Sequence, residues 1–202
     1  MSGPRRTAVP LVAILSLFGV FATALGLGQV LGLPFPSLSL DFLRSDSSGS
    51  SGMRPSQPTR ISIPVLGLRA TIVEVGLAAN GSIAPPAEDP AGTAGWYGLG
   101  PSPGETGTAV IVGHVDTANQ PAVFQRLRDL TPGRLIEVTR KDRRVATFTV
   151  ESVESYPKTA FPADRIFASS DVPRLALVAC GGNWVGGETG YADNVIVFAR
   201  LT

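Results

Sequence analysis

The sequence predicts an all-β domain closed, or nearly closed, into a barrel and hung from an apolar N-terminal helix by a polar tether. Three observations predict it. Seven or eight short apolar or alternating segments follow one another after Thr59. The 23 glycines and 17 prolines are too many for a helical protein and suit strands joined by tight turns. Only one stretch in that region, around Val123, Leu127 and Leu130, carries helical spacing.

The elements are justified in chain order. No charged residue stands between Arg6 and Asp41, and Ala8–Leu33 is almost wholly apolar, interrupted strongly only by Gln29. About 20 such residues cross a bilayer as a helix, so residues 8–33 are expected to be an uncleaved membrane anchor. A secretory signal peptide has a shorter apolar core, about 7–15 residues. Arg5 and Arg6 leave residues 1–7 in the cytoplasm and send the rest out of the cell. Residues 34–58 are rich in Ser, Pro and Gly, as in Ser45–Gly52, and cannot bury enough apolar surface to offset their ordering entropy. They are expected to be a flexible tether to a domain at 59–202.

Within that domain, Arg60–Ile63 and Ala70–Val75 read as strands about a turn at Gly67, and Asn80-Gly81 as a tight turn. Pro85–Gly107 reads as loop, with Trp96 and Tyr97 as its anchors. Thr108–Val112 is a buried strand, and a short helix over Val123–Leu130 is ended by Pro132-Gly133. Leu135–Thr139 and Val145–Val153 alternate, with Ala146, Phe148 and Val150 opposed to Thr147, Thr149 and Glu151. Leu175–Ala179 and Val195–Ala199 complete the set.

Charge narrows the function. Lys and Arg total 17 against 16 Asp and Glu, a formal net charge of +1, and the basic residues are dispersed, which speaks against nucleic acid as a partner. The doublets Arg140-Lys141 and Arg143-Arg144 read as a charged hairpin turn. One histidine and one cysteine cannot make a zinc site alone. Cysteines of exported proteins usually pair, so the unpaired Cys180 is either an inert buried residue or a working nucleophile. His114 follows one apolar strand and Cys180 another, and a thiol within reach of a base is what nucleophilic catalysis needs. Gly181 and Gly182 leave backbone amides able to approach a substrate carbonyl. Asp116 is placed either to orient the imidazole or to cap a turn.

The residues around this pair add a resemblance. Thr108–Asp116 reads Thr-Ala-Val-Ile-Val-Gly-His-Val-Asp, Leu177–Gly182 reads Leu-Val-Ala-Cys-Gly-Gly, and Tyr191–Ala199 closes the chain with Tyr-Ala-Asp-Asn-Val-Ile-Val-Phe-Ala. From about Ile61 to Leu201 the chain resembles the sortase family, and within it the actinobacterial group called class F. The resemblance implies an eight-stranded β-barrel with one or two short helices. It implies a cysteine transpeptidase that cuts secreted proteins at a Leu-Pro-x-Thr-Gly-like sorting signal, between Thr and Gly. The products would be passed to an amine acceptor of the cell wall. Cys180 matches the nucleophile that forms the thioester, and His114 the general acid and base. No cofactor is implied, although some members use calcium.

Two departures stand out. Ala179 replaces a threonine often found before the nucleophile. The final-strand arginine of the family, a hydrogen-bond donor to substrate or oxyanion, is missing: Ala192, Asp193 and Asn194 occupy its region, and Arg200 lies too near the C-terminus. Asn194 is the expected substitute, with Arg126 and Arg128 as alternatives. The competing functional readings are a cysteine hydrolase or L,D-transpeptidase, and a catalytically weak or silent surface-binding module.

Overall fold

The computed structural model describes residues 52–202 apart from Asp89, Ala91, Asn119, Glu188 and Thr189. The expected cytoplasmic end, the expected anchor at 8–33 and most of the expected tether lie outside the described residues. Among those described, no helix is long and apolar enough to cross a membrane.

Among the described residues, eight strands form the fold: β1 Pro58–Ile63, β2 Leu68–Val75, β3 Thr93–Tyr97, β4 Gly107–Gly113, β5 Leu135–Arg140, β6 Val145–Pro157, β7 Pro173–Gly186 and β8 Gly190–Leu201. They close into a barrel in the order β1-β2-β3-β4-β7-β8-β6-β5. Closure leaves no free sheet edge along its wall. Two of the pairings, β2 with β3 and β4 with β7, are parallel.

The alternation read from the sequence sets the interior. Ala146, Phe148 and Val150 of β6 join Ile136 and Val138 of β5 in the barrel core. Strands β4 and β7 read as unbroken apolar runs because both of their faces are covered. Ala109 and Ile111 of β4, with Leu175, Leu177 and Ala179 of β7, face the barrel core. Val110, Val112, Ala176 and Val178 face outward into a second apolar cluster with Ile196 and Phe198. That outer cluster is roofed by Ile166 of a short helix, α1 (Ala163–Phe167).

Three expectations are corrected. Pro85–Gly107 is not loop throughout: Thr93–Tyr97 is β3, although Trp96 does anchor it, nearly buried and donating its indole N–H to the Pro101 carbonyl at 3.0 Å. The helix expected at Val123–Leu130 is a chain of turns with one 3-10 segment, Leu127–Asp129. Its bonds all span three residues, Gln125 to Ala122, Leu127 to Phe124 and Leu130 to Leu127, so an α-helix never nucleates. Cys180 does not lie beyond its strand but within β7, which continues to Gly186 and pairs with β8 as a ribbon beyond the barrel wall.

The basic doublets do flank a hairpin turn, with Arg143 at φ 68°. Arg140 is nevertheless fully buried. Its guanidinium donates to the carbonyls of Pro103 and Arg54 and pairs with Asp142 at 3.3 Å. Together with the bond from Met53 N–H to the Gly104 carbonyl (2.7 Å), this seats Gly52–Gln57 against the barrel.

Candidate active site

The site is built by register. In the parallel pair β4–β7, Gly113 lies opposite Ala179, so His114 and Cys180 are the next residues on neighbouring strands, although 66 positions separate them in sequence. Cys180 lies opposite Asn194 of β8, and Asn194 opposite Tyr156 of β6. Residues directly opposed across a sheet share a face. Each also continues an outward-facing series: Val110 and Val112 lead to His114, Ala176 and Val178 to Cys180, Phe198 and Ile196 to Asn194. His114, Cys180, Asn194 and Tyr156 thus form one row on the outer face, spaced at the inter-strand distance of about 4.8 Å.

His114 and Cys180, both half-buried, line a cavity of about 690 Å³ together with Glu88, Asp116, Lys158, Trp184 and Tyr191. The imidazole is held from the far side by the segment after β2. Its Nε2 donates to the Pro86 carbonyl at 2.9 Å, and since a carbonyl only accepts, that nitrogen carries the hydrogen and Nδ1 is left for chemistry. The main chain at His114 is pinned as well: Phe124 N–H donates to the His114 carbonyl at 2.8 Å and Ala122 N–H to the Val115 carbonyl at 3.0 Å. Gly113 makes this possible, because a Cβ there would stand 2.6 Å from the Phe124 ring.

The ribbon beyond Cys180 closes the other wall. Tyr191 donates its hydroxyl to the Asp116 carboxylate and meets Trp184 edge-to-face, with centroids 5.2 Å apart. The bond to Asp116 pushes the Tyr191 phenol above its usual range. Asp116 is therefore bonded to Tyr191, and no bond from it to the imidazole is present.

The chain matches the family model for the sortase domain over residues 61–202. It belongs to the sortase family. Solved sortases share the barrel at low identity. Sortase A from Corynebacterium diphtheriae matches at 19% identity and a TM-score of 0.55, over 74% of this chain and 62% of that one. Sortase C-1 from Streptococcus pneumoniae matches at 18% and 0.55, over 71% and 66%. Sortase C from Clostridium perfringens SM101 matches at 14% and 0.53, over 74% and 72%. The chain thus spans just under two thirds of the length of the corynebacterial and pneumococcal proteins. A search among curated proteins found no match.

Of the site residues read from the sequence, this sortase barrel brings His114 and Cys180 into one cavity and sets Asn194 beside Cys180 in the row, though Asn194 does not line the cavity. Arg126 is an exposed surface residue paired with Asp129 at 3.0 Å. Arg128 is exposed, does not line the cavity, and reaches it only through its charge on Tyr191. Arg200 lies opposite Thr149 and Arg174, 3.7 Å from Glu151, and six strand residues, about 20 Å, from Asn194. Lys158, Glu88 and Trp184 were not singled out by the sequence reading. No local motif marks them; Glu88 enters from the segment after β2, Lys158 from the turn after β6, and Trp184 from the far end of β7. Among the described residues, no group of three or more His, Cys, Asp and Glu is placed to hold a metal ion.

Proposed function

We propose that this chain is a membrane-anchored transpeptidase that cleaves a Leu-Pro-x-Thr-Gly-like sorting signal on secreted proteins and joins them to an amine of the cell wall. The observation that carries the reading is the placement of the only thiol and the only imidazole at the neighbouring ends of two parallel strands, on one cavity of a sortase domain. His114 Nδ1 takes the proton of the Cys180 thiol, the thiolate adds to the threonine carbonyl, and the bond to glycine breaks as the same nitrogen passes that proton to the leaving amine. A thioester remains. An incoming amine, its proton taken by His114 Nδ1, adds to the thioester carbonyl and expels Cys180. Asn194, opposite Cys180 and on the same face, supplies a neutral hydrogen-bond donor beside the reacting carbonyl.

The test uses the full chain in detergent micelles with a library of quenched Leu-Pro-x-Thr-Gly peptides. Cleavage is followed by fluorescence and the acyl-enzyme by intact mass, beside Cys180→Ala, His114→Ala and Asn194→Ala. A thioester adduct that disappears in Cys180→Ala is expected. A folded enzyme with a titratable thiol that forms no adduct with any peptide would transfer the reading to a silent surface-binding module.

A further inference from the structure

We propose that Pro86, bedded on Gly95, is a positioning residue of the reaction: its carbonyl decides which nitrogen His114 offers to Cys180. The use of that nitrogen in catalysis rests on the transpeptidase reading above. A neutral imidazole carries one N–H and one lone pair, and only the lone pair can take a proton. The torsion about Cβ–Cγ has two broad wells related by a half-turn. That half-turn puts Cδ2 where Nδ1 was and Cε1 where Nε2 was, so a ring turned over presents carbon in place of nitrogen. A base that activates a nucleophile is accordingly oriented by a third group. Asp116 does not take this part, because its carboxylate is bonded to Tyr191.

The Pro86 carbonyl takes it. It accepts from Nε2–H at 2.9 Å, a bond that exists only with the ring in this orientation and with a hydrogen on Nε2. The seat of Pro86 is built on the outer face of the barrel. Gly95 of β3 lies opposite Val112 of β4, and Val112 faces the outer apolar cluster two residues before His114. A side chain at Gly95 would therefore project from the face that carries His114. A Cβ there would stand 3.3 Å from Cδ of Pro86 and 2.8 and 3.1 Å from the two methyls of Val75. Glycine leaves that space to the proline ring, which is buried.

The chain that carries the carbonyl is stiff. Prolines hold φ at about −65°, and Pro85 is kept out of the helical region by the proline that follows it. Upstream, the chain folds back on itself: Ala84 N–H donates to the Gly76 carbonyl at 2.9 Å, and Leu77 bridges to Ile83. Ile83 packs on the outer apolar cluster. The carbonyl is thus anchored from β3 and from that cluster, whereas the main chain of His114 is anchored through Phe124. The bond to Nε2 joins two parts that are placed independently of each other, so it reports and enforces their relative position.

His114 is the only histidine of the chain, so its ring nitrogens can be followed by nitrogen NMR without assignment. The experiment labels histidine in the full chain in micelles and compares it with Val75→Ala/Gly95→Val and with Pro86→Gly. The double variant moves two methyls from the neighbouring strand onto the seat at nearly constant volume, a change that cores tolerate. Val75→Ala alone is the packing control. Spectra are taken at about pH 8, where imidazole is ordinarily neutral, and acylation by the best peptide of the library is timed by intact mass. The unmodified chain and Val75→Ala should show a hydrogen on Nε2 and a bare Nδ1. In the two displaced variants the ring signals should move toward a tautomer average. Their maximal acylation rate should fall about tenfold, the scale of one hydrogen bond, with KM within threefold. A bare Nε2 in the unmodified chain overturns the role at once. So does a ring signature unchanged in both displaced variants, or acylation within twofold of the original once the signature has changed. If the unmodified enzyme forms no acyl adduct, the transpeptidase reading fails, and the ring signature, which needs no turnover, still upholds or overturns the seat.

Discussion

At Gly113 a single added methyl tests how the histidine is held. A Cβ at this position would stand 2.6 and 2.9 Å from Cδ2 and Cε2 of Phe124 and 2.7 Å from Cγ1 of Val123. Unstrained carbon contacts lie at about 3.5–4.0 Å, so roughly 1 Å must be found. Phe124 is fully buried and its N–H is bonded to the His114 carbonyl, so the ring cannot withdraw without pulling that bond. Gly113 does not have a positive φ, which leaves crowding as the whole penalty. Overpacking of this kind costs about 1–3 kcal/mol. At about 2 kcal/mol, a domain of this size should melt about 4–8 °C lower. Gly113→Ala, Phe124→Leu and the double variant should be compared by thermal unfolding and by peptide acylation. The smaller side chain in Phe124→Leu makes room, so the double variant should be more stable than the two single losses predict, by about 1 kcal/mol. Strict additivity, or a Gly113→Ala midpoint within 1 °C of the original, would refute the claim that Phe124 packs on Gly113 to seat His114.

The remaining predictions concern other parts of the molecule. Arg140→Met should destabilise by about 2–4 kcal/mol in denaturant titrations, because the buried Pro103 carbonyl and the part-buried Arg54 carbonyl both lose their donor, and should quicken proteolysis near Met53. Glu154 is held at a pKa of about 2, chiefly by its hydrogen bonds from Arg165 and then from Ser152 and Tyr156. A depressed carboxyl stabilises the fold above its unfolded pKa, about 4.5, and loses that contribution as pH falls toward 2. Since Arg165 is half exposed, solvent screening reduces the effect to about 1 kcal/mol; unfolding free energies of Glu154→Gln should lack this pH-dependent component. Tyr191→Phe, Asp116→Asn and the double variant should lower acylation to the same level, because Asp116 acts through Tyr191; a further loss specific to Asp116→Asn would mean that the carboxylate serves His114 directly.

Much of the barrel was legible because strand periodicity survives in single segments. Ala146, Phe148 and Val150 announce their inward face, and the two-sided burial of β4 and β7 is written in their unbroken apolar runs. What failed to show was short or broken. Strand β3 has five residues with Gly95 at its centre, and α1 has five residues, too few for a 3.6-residue period to register. Val123, Leu127 and Leu130 kept a helical spacing while forming turns, since packing of Phe124 and Leu127 into the core decides their placement. At the site, His114 and Cys180 could be read because each is unique. Their partners could not. Tyr191 meets Asp116, and Lys158 shares the cavity with Cys180, only once β6, β7 and β8 have taken their register, a long-range property that no short window of sequence contains.

The parallel pairing of β4 with β7 works as a ruler. Thiol and imidazole are spaced by the pitch of the sheet, and the chain that joins the two strands, with its hairpin at Asp142 and its crossover through α1, sets no part of that spacing. The exposed turns of that connection are consequently free to lengthen, shorten or change their chemistry while the pair stays in step, whereas Phe124 and strands β5 and β6 are held by the barrel. The walls of the cavity can be redrawn through such turns with the thiol and the imidazole left in place.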